Sequence, residues 1–174
     1  MHRPFFHPGG VYVLDEVTKQ HDRNHLDDRL GVWLQQAERD QRRLAVLIVS
    51  ADSVAWINRR WGRGAGDSVL RKLARRLAAS LAPDDAFARY DGNRFGIVRW
   101  ESSADRALAL AQHLAGRVAG APFELPGGRD AAFLTVSIGM TVAGPAGDAT
   151  TIVTAAESAL RQAKDGGGNR ICTP

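Results

Sequence analysis

Residues 44–77 read LAVLIVSADSVAWINRRWGRGAGDSVLRKLARRL. The pattern changes character three times within this stretch. LAVLIVS (44–50) is a continuous apolar run rich in β-branched side chains, the pattern of a strand covered on both faces. Residues 53–60, with Trp56 and Ile57, suit a short helix. WGRGAGD (61–67) then breaks the chain. Residues 67–81 place Val69, Leu70, Leu73, Leu77 and Leu81 on one side of a longer helix, which Pro83 and Asp84-Asp85 end. A strand buried on both faces needs cover on both sides, so the stretch predicts an α/β layer structure.

The flanking sequence extends this plan in both directions. Upstream, Leu26, Leu30, Trp33, Leu34 and Ala37 form one face of a helix over 24–41. Downstream, RYDGNRFGIV (89–98) carries Asp91-Gly92 between two β-like runs, a strong hairpin signal joining strands 86–90 and 95–100. A helix over 103–119, a short strand near 122–125, a Pro-Gly-Gly turn and a strand AAFLTVSIGM (131–140) follow. A last helix spans 149–164, GGGN ends it, and Arg170-Ile171-Cys172 suits an edge strand. The predicted order is α-β-α-α-β-β-α-β-β-α-β. The fold class is α/β, with a mixed central β-sheet flanked by helices. Its β-α-β-β-α-β core is the arrangement used by polymerase palms, nucleotide cyclases and many unrelated domains.

The 174 residues are expected to form one domain over 15–174, after a flexible leader at 1–14. No apolar run reaches the ~20 residues of a membrane helix, and the N-terminus lacks a signal-peptide pattern. Cys172 is the only cysteine, which excludes a disulfide framework within the chain and makes a reducing cytoplasm the expected setting. The net charge of +4 is nearly all arginine. Those arginines are scattered along helices and interleaved with acids, with no aromatic–basic stacking motif, so they read as solvated faces rather than a nucleic-acid surface.

Single motifs are ambiguous. GRGAGD (62–67) evokes a phosphate cradle but lacks both G-x-G-x-x-G and Gly-Lys-Ser/Thr, so a tight turn is expected. His21 and His25 have the i, i+4 spacing of zinc ligands without companions, and read as solvated surface residues. Ser50 and Ser137 have no histidine at suggestive spacing, which leaves a hydrolase triad unsupported. Trp56 and Trp61 are expected to pack the core, with ligand stacking as the alternative.

The order of the motifs is far more specific. Residues 44–77 resemble the stretch of the GGDEF family, the diguanylate cyclases, written D-x-D-x-F-K-x-x-N-D-x-x-G-H-x-x-G-D-x-x-L, with Asp52, Asn58, Gly62, Gly66, Asp67 and Leu70 in register. RYDGNRFGIV falls where the family has R-x-G-G-D/E-E-F. VSIGM (136–140) is similar to its S-I-G strand, AAESALRQAKDGGGNRI (155–171) to its closing block, and DEVTKQHDR (15–23) to its opening D-x-L-T-G-L-P-N-R. The resemblance covers residues 15–172.

The resemblance implies a domain that condenses two GTP molecules into cyclic di-GMP, two copies facing each other, with metal ions on the triphosphate. Several positions depart from that pattern. The first metal-binding aspartate is Ser50. The signature is Asp91-Gly92-Asn93-Arg94-Phe95, with Asn93 and Arg94 in place of its acids. The phosphate-binding lysine after the first strand is Ala55, and the arginine of the closing block is Gly168. Mg²⁺ prefers hard anionic oxygens, whereas Ser50 and Asn93 offer neutral ones and Arg94 brings a fixed cation. Asn58 and Asp67 fall on the guanine-binding positions and Lys164 on a phosphate-contacting lysine. Alternatively, Asp67 caps helix 67–81, Asn58 closes a turn and Lys164 balances a helix C-terminus. The family's inhibitory R-x-x-D falls on Ala82-Pro83-Asp84-Asp85, without its arginine.

The expectation is therefore a catalytically inactive GGDEF-like domain acting as a regulatory or protein-interaction module in cyclic di-GMP signalling. The alternatives are a GTP-sensing domain controlling a linked phosphodiesterase domain and a weakly active cyclase. Expected partners are GTP, a signalling protein or linked phosphodiesterase domain, and a second copy of the domain; neither membrane nor nucleic acid is expected. No cofactor is expected, and GTP binding is expected not to require Mg²⁺, with Arg94 serving the phosphates or pointing into solvent.

Overall fold

A computed structural model describes residues 13–101 and 103–174. Helix α1 (Arg23–Asp40) leads into strand β1 (Leu44–Ala51), then helices α2 (Val54–Trp61) and α3 (Arg63–Ala78). The hairpin β2 (Ala86–Asp91) and β3 (Arg94–Trp100) follows, then α4 (Ala104–Ala119), β4 (Phe123–Glu124), β5 (Ala131–Ala132), β6 (Val136–Ala143), α5 (Ala149–Asp165) and β7 (Ile171–Cys172). The five-stranded sheet runs β2-β3-β1-β6-β7; β1 is antiparallel to both β3 and β6, and only β7 pairs parallel. The mixed sheet with helices on both faces is the expected fold class. The expected leader lies outside the described residues up to residue 12, while Leu14 bridges His21.

Strand β1 organises both cores. Every residue in it is buried. Alternation sends Ala45, Leu47 and Val49 toward α2, α3 and α4, and Leu44, Val46 and Ile48 toward α1 and α5. Each fully buried Leu or Ile contributes about 1.5–3 kcal/mol of transfer free energy. Helix α5 lies so close on β6 that a Cβ at Gly139 would come within 2.1 Å of the Ala156 carbonyl oxygen. By the same alternation Ser50, though polar, joins the α5 side of the sheet.

Several expectations need correction. Helix α3, expected over 67–81, starts at Arg63 and ends at Ala78. GRGAGD is therefore not a tight turn: Gly62 (φ 83°) alone separates α2 from α3, and the rest is the first turn of α3. Asp67 consequently sits inside the helix and does not cap it. The strand expected over 131–140 is two strands in two sheets. Residues 133–135 leave the ladder, where the Thr135 carbonyl accepts from the Asp52 N–H at 2.9 Å and Phe133 is exposed. β5 then pairs with β4 in a separate ribbon.

Side-chain placement also differs from the expectations. Trp56 is 51% exposed, whereas Trp61 packs partly against the core. His21 and His25 are half-buried and stacked at 3.8 Å. Two of the helix arginines serve packing rather than a solvated face. Arg71 donates to the Val17 carbonyl at 3.1 Å. Arg76 covers the Phe123 ring at 3.8 Å and donates to the carbonyls of Val118, Ala121 and Pro122. Among the described residues no helix is long and apolar enough to cross a membrane.

Candidate functional site

The β2–β3 hairpin closes on the pair Asp91–Arg94, with Gly92 (φ 36°) and Asn93 at the tip. A bulge between Arg89 and Asp91 lets consecutive side chains reach different partners. Arg89 spans the hairpin: it donates to the Gly92 carbonyl and, at 2.7 Å, to Asp15, which also accepts from the Thr18 N–H and hydroxyl. Arg89 thereby ties the N-terminal turn to the hairpin tip. Burial raises the Asp15 carboxyl, but the bonds from Thr18 and Arg89 outweigh it and hold its pKa below the ordinary value.

Asn93 is pinned to the end of β1. Its amide donates to the Ala51 carbonyl at 2.6 Å, and its own carbonyl accepts from the Ala51 N–H at 3.0 Å. Arg94 does not point freely into solvent. Its guanidinium grips Asp91, with Nε to Oδ1 at 2.6 Å, and lies 3.8 Å from Glu157. Tyr90 stacks under this cation and donates to Glu157 at 2.8 Å. The bond to Asp91 raises the pKa of Arg94 against the opposing effect of burial. Burial and the Glu157 bond push the Tyr90 hydroxyl up.

These groups border an open pocket of about 550 Å³ lined by Ser50, Asn93, Arg94, Glu157, Leu160, Arg161 and Lys164. Ser50 pairs with Arg94 across the ladder, and Glu157, Leu160, Arg161 and Lys164 repeat at helical spacing on α5. Sequence reasoning found Ser50, Asn93, Arg94 and Lys164 but missed Glu157 and Arg161. Counting back from Lys164 by one and two turns finds both.

Lys164 is bound inside a second network. Asp52 accepts from Lys164 Nζ at 2.8 Å, Ser137 at 2.9 Å, Thr135 at 2.7 Å and the Asn169 N–H at 3.1 Å. Burial raises the Asp52 pKa, yet the bonds from Lys164, Thr135 and Ser137 together hold it below the ordinary carboxylate value. One carboxylate thus ties the start of α2 to β6, the end of α5 and the loop before β7.

Asn58 and Asp67, expected to face a base, lie on α2 and α3. Gly66 lets the two helices close on Asn58: a Cβ there would fall 1.9 Å from Asn58 Oδ1. That oxygen is buried and has no hydrogen-bond partner within the protein, an acceptor suited to a ligand N–H. Asp67, one residue on, is half-buried. Asn58 also closes a turn through its backbone, whose carbonyl accepts the Gly62 N–H at 2.9 Å.

The family model described as "Diguanylate cyclase, GGDEF domain" matches residues 12–170. The chain belongs to the GGDEF family. It is 29% identical over 160 residues to the response regulator PleD of Caulobacter vibrioides, a match covering 91% of this chain and 35% of that protein. It is 34% identical over 161 residues to the bifunctional diguanylate cyclase/cyclic di-GMP phosphodiesterase MucR of Pseudomonas aeruginosa, covering 91% of this chain and 23% of that protein. The GGDEF domain of TpbB (YfiN) from P. aeruginosa superposes with a TM-score of 0.86 at 28% identity, covering 91% of this chain and 92% of the other. The chain thus spans about a third or less of the curated relatives it matches.

The GGDEF site residues here do not fit a divalent cation. Ser50 is neutral, the Asn93 amide is turned to Ala51, and Arg94 adds a positive charge at the tip. Asp52 already accepts four bonds and Glu157 accepts from Tyr90. Among the described residues, no three His, Cys, Asp or Glu side chains gather as metal ligands. The inhibitory-site position is likewise engaged: Asp85 accepts a fork from Arg99 at 2.8 and 2.7 Å and the Ala82 N–H at 2.8 Å.

Proposed function

We propose that this chain is a GGDEF domain that does not synthesise cyclic di-GMP and acts as a regulatory or protein-interaction module in cyclic di-GMP signalling, while keeping a site for GTP. The observation that carries the first half is the tip itself. Ser50, Asn93 and Arg94 stand where acids would hold metal, and each of the last two is committed to a structural bond. Removing one element of transition-state charge stabilisation typically costs ~10²–10³ in rate, and here several are replaced at once.

The second half rests on the orphaned acceptor of Asn58 beside Asp67. An amide and a carboxylate together complement the acceptor and donor edge of guanine. The phosphates would then extend toward the pocket whose wall holds Arg94, Arg161 and Lys164 against a single acid, Glu157. Arginine and lysine there would supply charge that a metal otherwise brings. Calorimetry with GTP in EDTA and in Mg²⁺ tests this. Binding should be indifferent to Mg²⁺, lost in Asn58→Ala plus Asp67→Ala, and weakened in Arg94→Ala. Binding that needs Mg²⁺ would overturn it.

The likeness to MucR, which carries both cyclase and phosphodiesterase activities, favours a second reading in which GTP occupancy controls a linked phosphodiesterase. In the full-length protein, GTP would then change cyclic di-GMP hydrolysis, and Asn58→Ala plus Asp67→Ala would abolish the change.

A further inference from the structure

Helix α2 has two faces. One buries Val54 and Ile57 and presents Asn58 to α3. The other is exposed, and it carries Trp56, Arg59 and Arg60 at helical spacing. The segment 130–135 runs along this helix. At one end Asp130 accepts from the Trp61 indole N–H at 3.2 Å, and at the other Thr135 bonds Asp52. Phe133 lies between these two anchor points and is 73% exposed. Trp56 and Phe133 are the only large aromatic side chains more than half exposed among the described residues, one on α2 and the other on the segment anchored at both ends of it. Trp61 meets Trp56 edge-on at 5.1 Å, so the exposed indole is braced rather than loose. Arg59 and Arg60 on the helix, Arg63 just past it and Arg129 next to Asp130 are all exposed, and Arg60 lies over Trp61 at 5.4 Å.

We infer that this face of α2, with Phe133, is a docking surface for a protein segment that carries acidic side chains around an apolar anchor. The residue types decide the partner. Braced Trp and Phe flanked by Arg is the composition of protein–protein hot spots. The patch also carries Asp130, bonded to Trp61, so it lacks the unbroken cationic track of a nucleic-acid or anionic-membrane surface. A second copy of this chain fits poorly: a twofold contact would set the patch against itself, arginine facing arginine. Charge complementarity leaves an acidic partner, and the exposed rings require it to bring an apolar side chain. The surface does not rest on the nucleotide reading.

Selection of a random-peptide phage library on the folded domain tests this directly. Enriched peptides should pair Asp or Glu with an aromatic or aliphatic residue, and their synthetic versions should bind more weakly as salt rises. Trp56→Ala, Phe133→Ser, and Arg59→Glu plus Arg63→Glu should each weaken them about tenfold or more, with circular dichroism unchanged. Phe133→Ser lies off the helix, so the test survives if a helix variant unfolds. No enrichment, enriched peptides without acids, or equal affinity in the folded variants would overturn the inference. So would oligo(dT) binding, binding to vesicles of phosphatidylserine, or self-association in sedimentation that these same substitutions abolish.

Discussion

Replacing Asp52 by Asn should loosen the whole end of the sheet where the candidate site sits. In the native protein this carboxylate accepts four hydrogen bonds, from Thr135, Ser137, Lys164 and the Asn169 N–H. Hydrogen bonds to a charged group contribute about 1.5–3 kcal/mol each. The Lys164 side chain is 36% exposed, so its share is screened to roughly 0.5–1 kcal/mol. Asn keeps one acceptor oxygen, but its NH₂ group must face donors. A net loss of roughly 3 kcal/mol follows from these terms. For a domain of this size each kcal/mol shifts Tm by about 2–4 °C, so a fall of about 6–12 °C is expected. Urea and thermal unfolding of both proteins, followed by circular dichroism, measures it. The sign with pH is fixed as well. Because the folded pKa lies below the unfolded value, the stabilisation is complete above about pH 4 and is lost as pH falls through the folded pKa. The gap between wild type and Asp52→Asn should therefore narrow below about pH 4. A loss under about 1 kcal/mol at neutral pH, or a gap that widens in acid, would refute the hub role given to Asp52.

Gly66→Ala should separate stability from binding. Ala gains about 1 kcal/mol over Gly inside a helix, while its Cβ displaces the end of the Asn58 side chain; Tm should hold or rise while GTP affinity measured by calorimetry falls. Gly139→Ala has no such outlet, since its Cβ would strike the backbone of Ala156 and Leu160. Overpacking of this kind costs about 1–3 kcal/mol or more, visible as a lower urea midpoint. Asp91→Asn weakens the grip on Arg94 at an exposed tip and should cost under about 1 kcal/mol of stability, yet tighten GTP binding by freeing the guanidinium.

Much of the fold was legible because β1 has no polar alternation and α1, α4 and α5 keep strict apolar periodicity; those signals report burial directly. The start of α3 was hidden because glycines at 62, 64 and 66 weaken helical propensity, and only the close approach to Asn58 explains why the last one is there. The break at 133–135 was hidden because Phe133 stands in the apolar run AAFL, and the exposure of that side chain left no mark in the pattern. For the candidate site, the motif register named Ser50, Asn58, Asp67, Asn93, Arg94 and Lys164, four of which line one pocket. Register carries no partners. That Arg94 grips Asp91 and that Lys164 is held by Asp52 depends on a bulged hairpin and on the meeting of α2, β6 and α5, which no local spacing encodes.

The central proposal is that the metal-holding acids of a GGDEF domain are replaced here by the neutral Ser50 and by Asn93 and Arg94, both committed to structural bonds. Incubation of the purified domain with GTP and either Mg²⁺ or Mn²⁺, followed by chromatography for cyclic di-GMP, tests it most directly. The account predicts no product above the enzyme-free control. Cyclic di-GMP that accumulates with protein concentration and disappears in Asp67→Ala would contradict it.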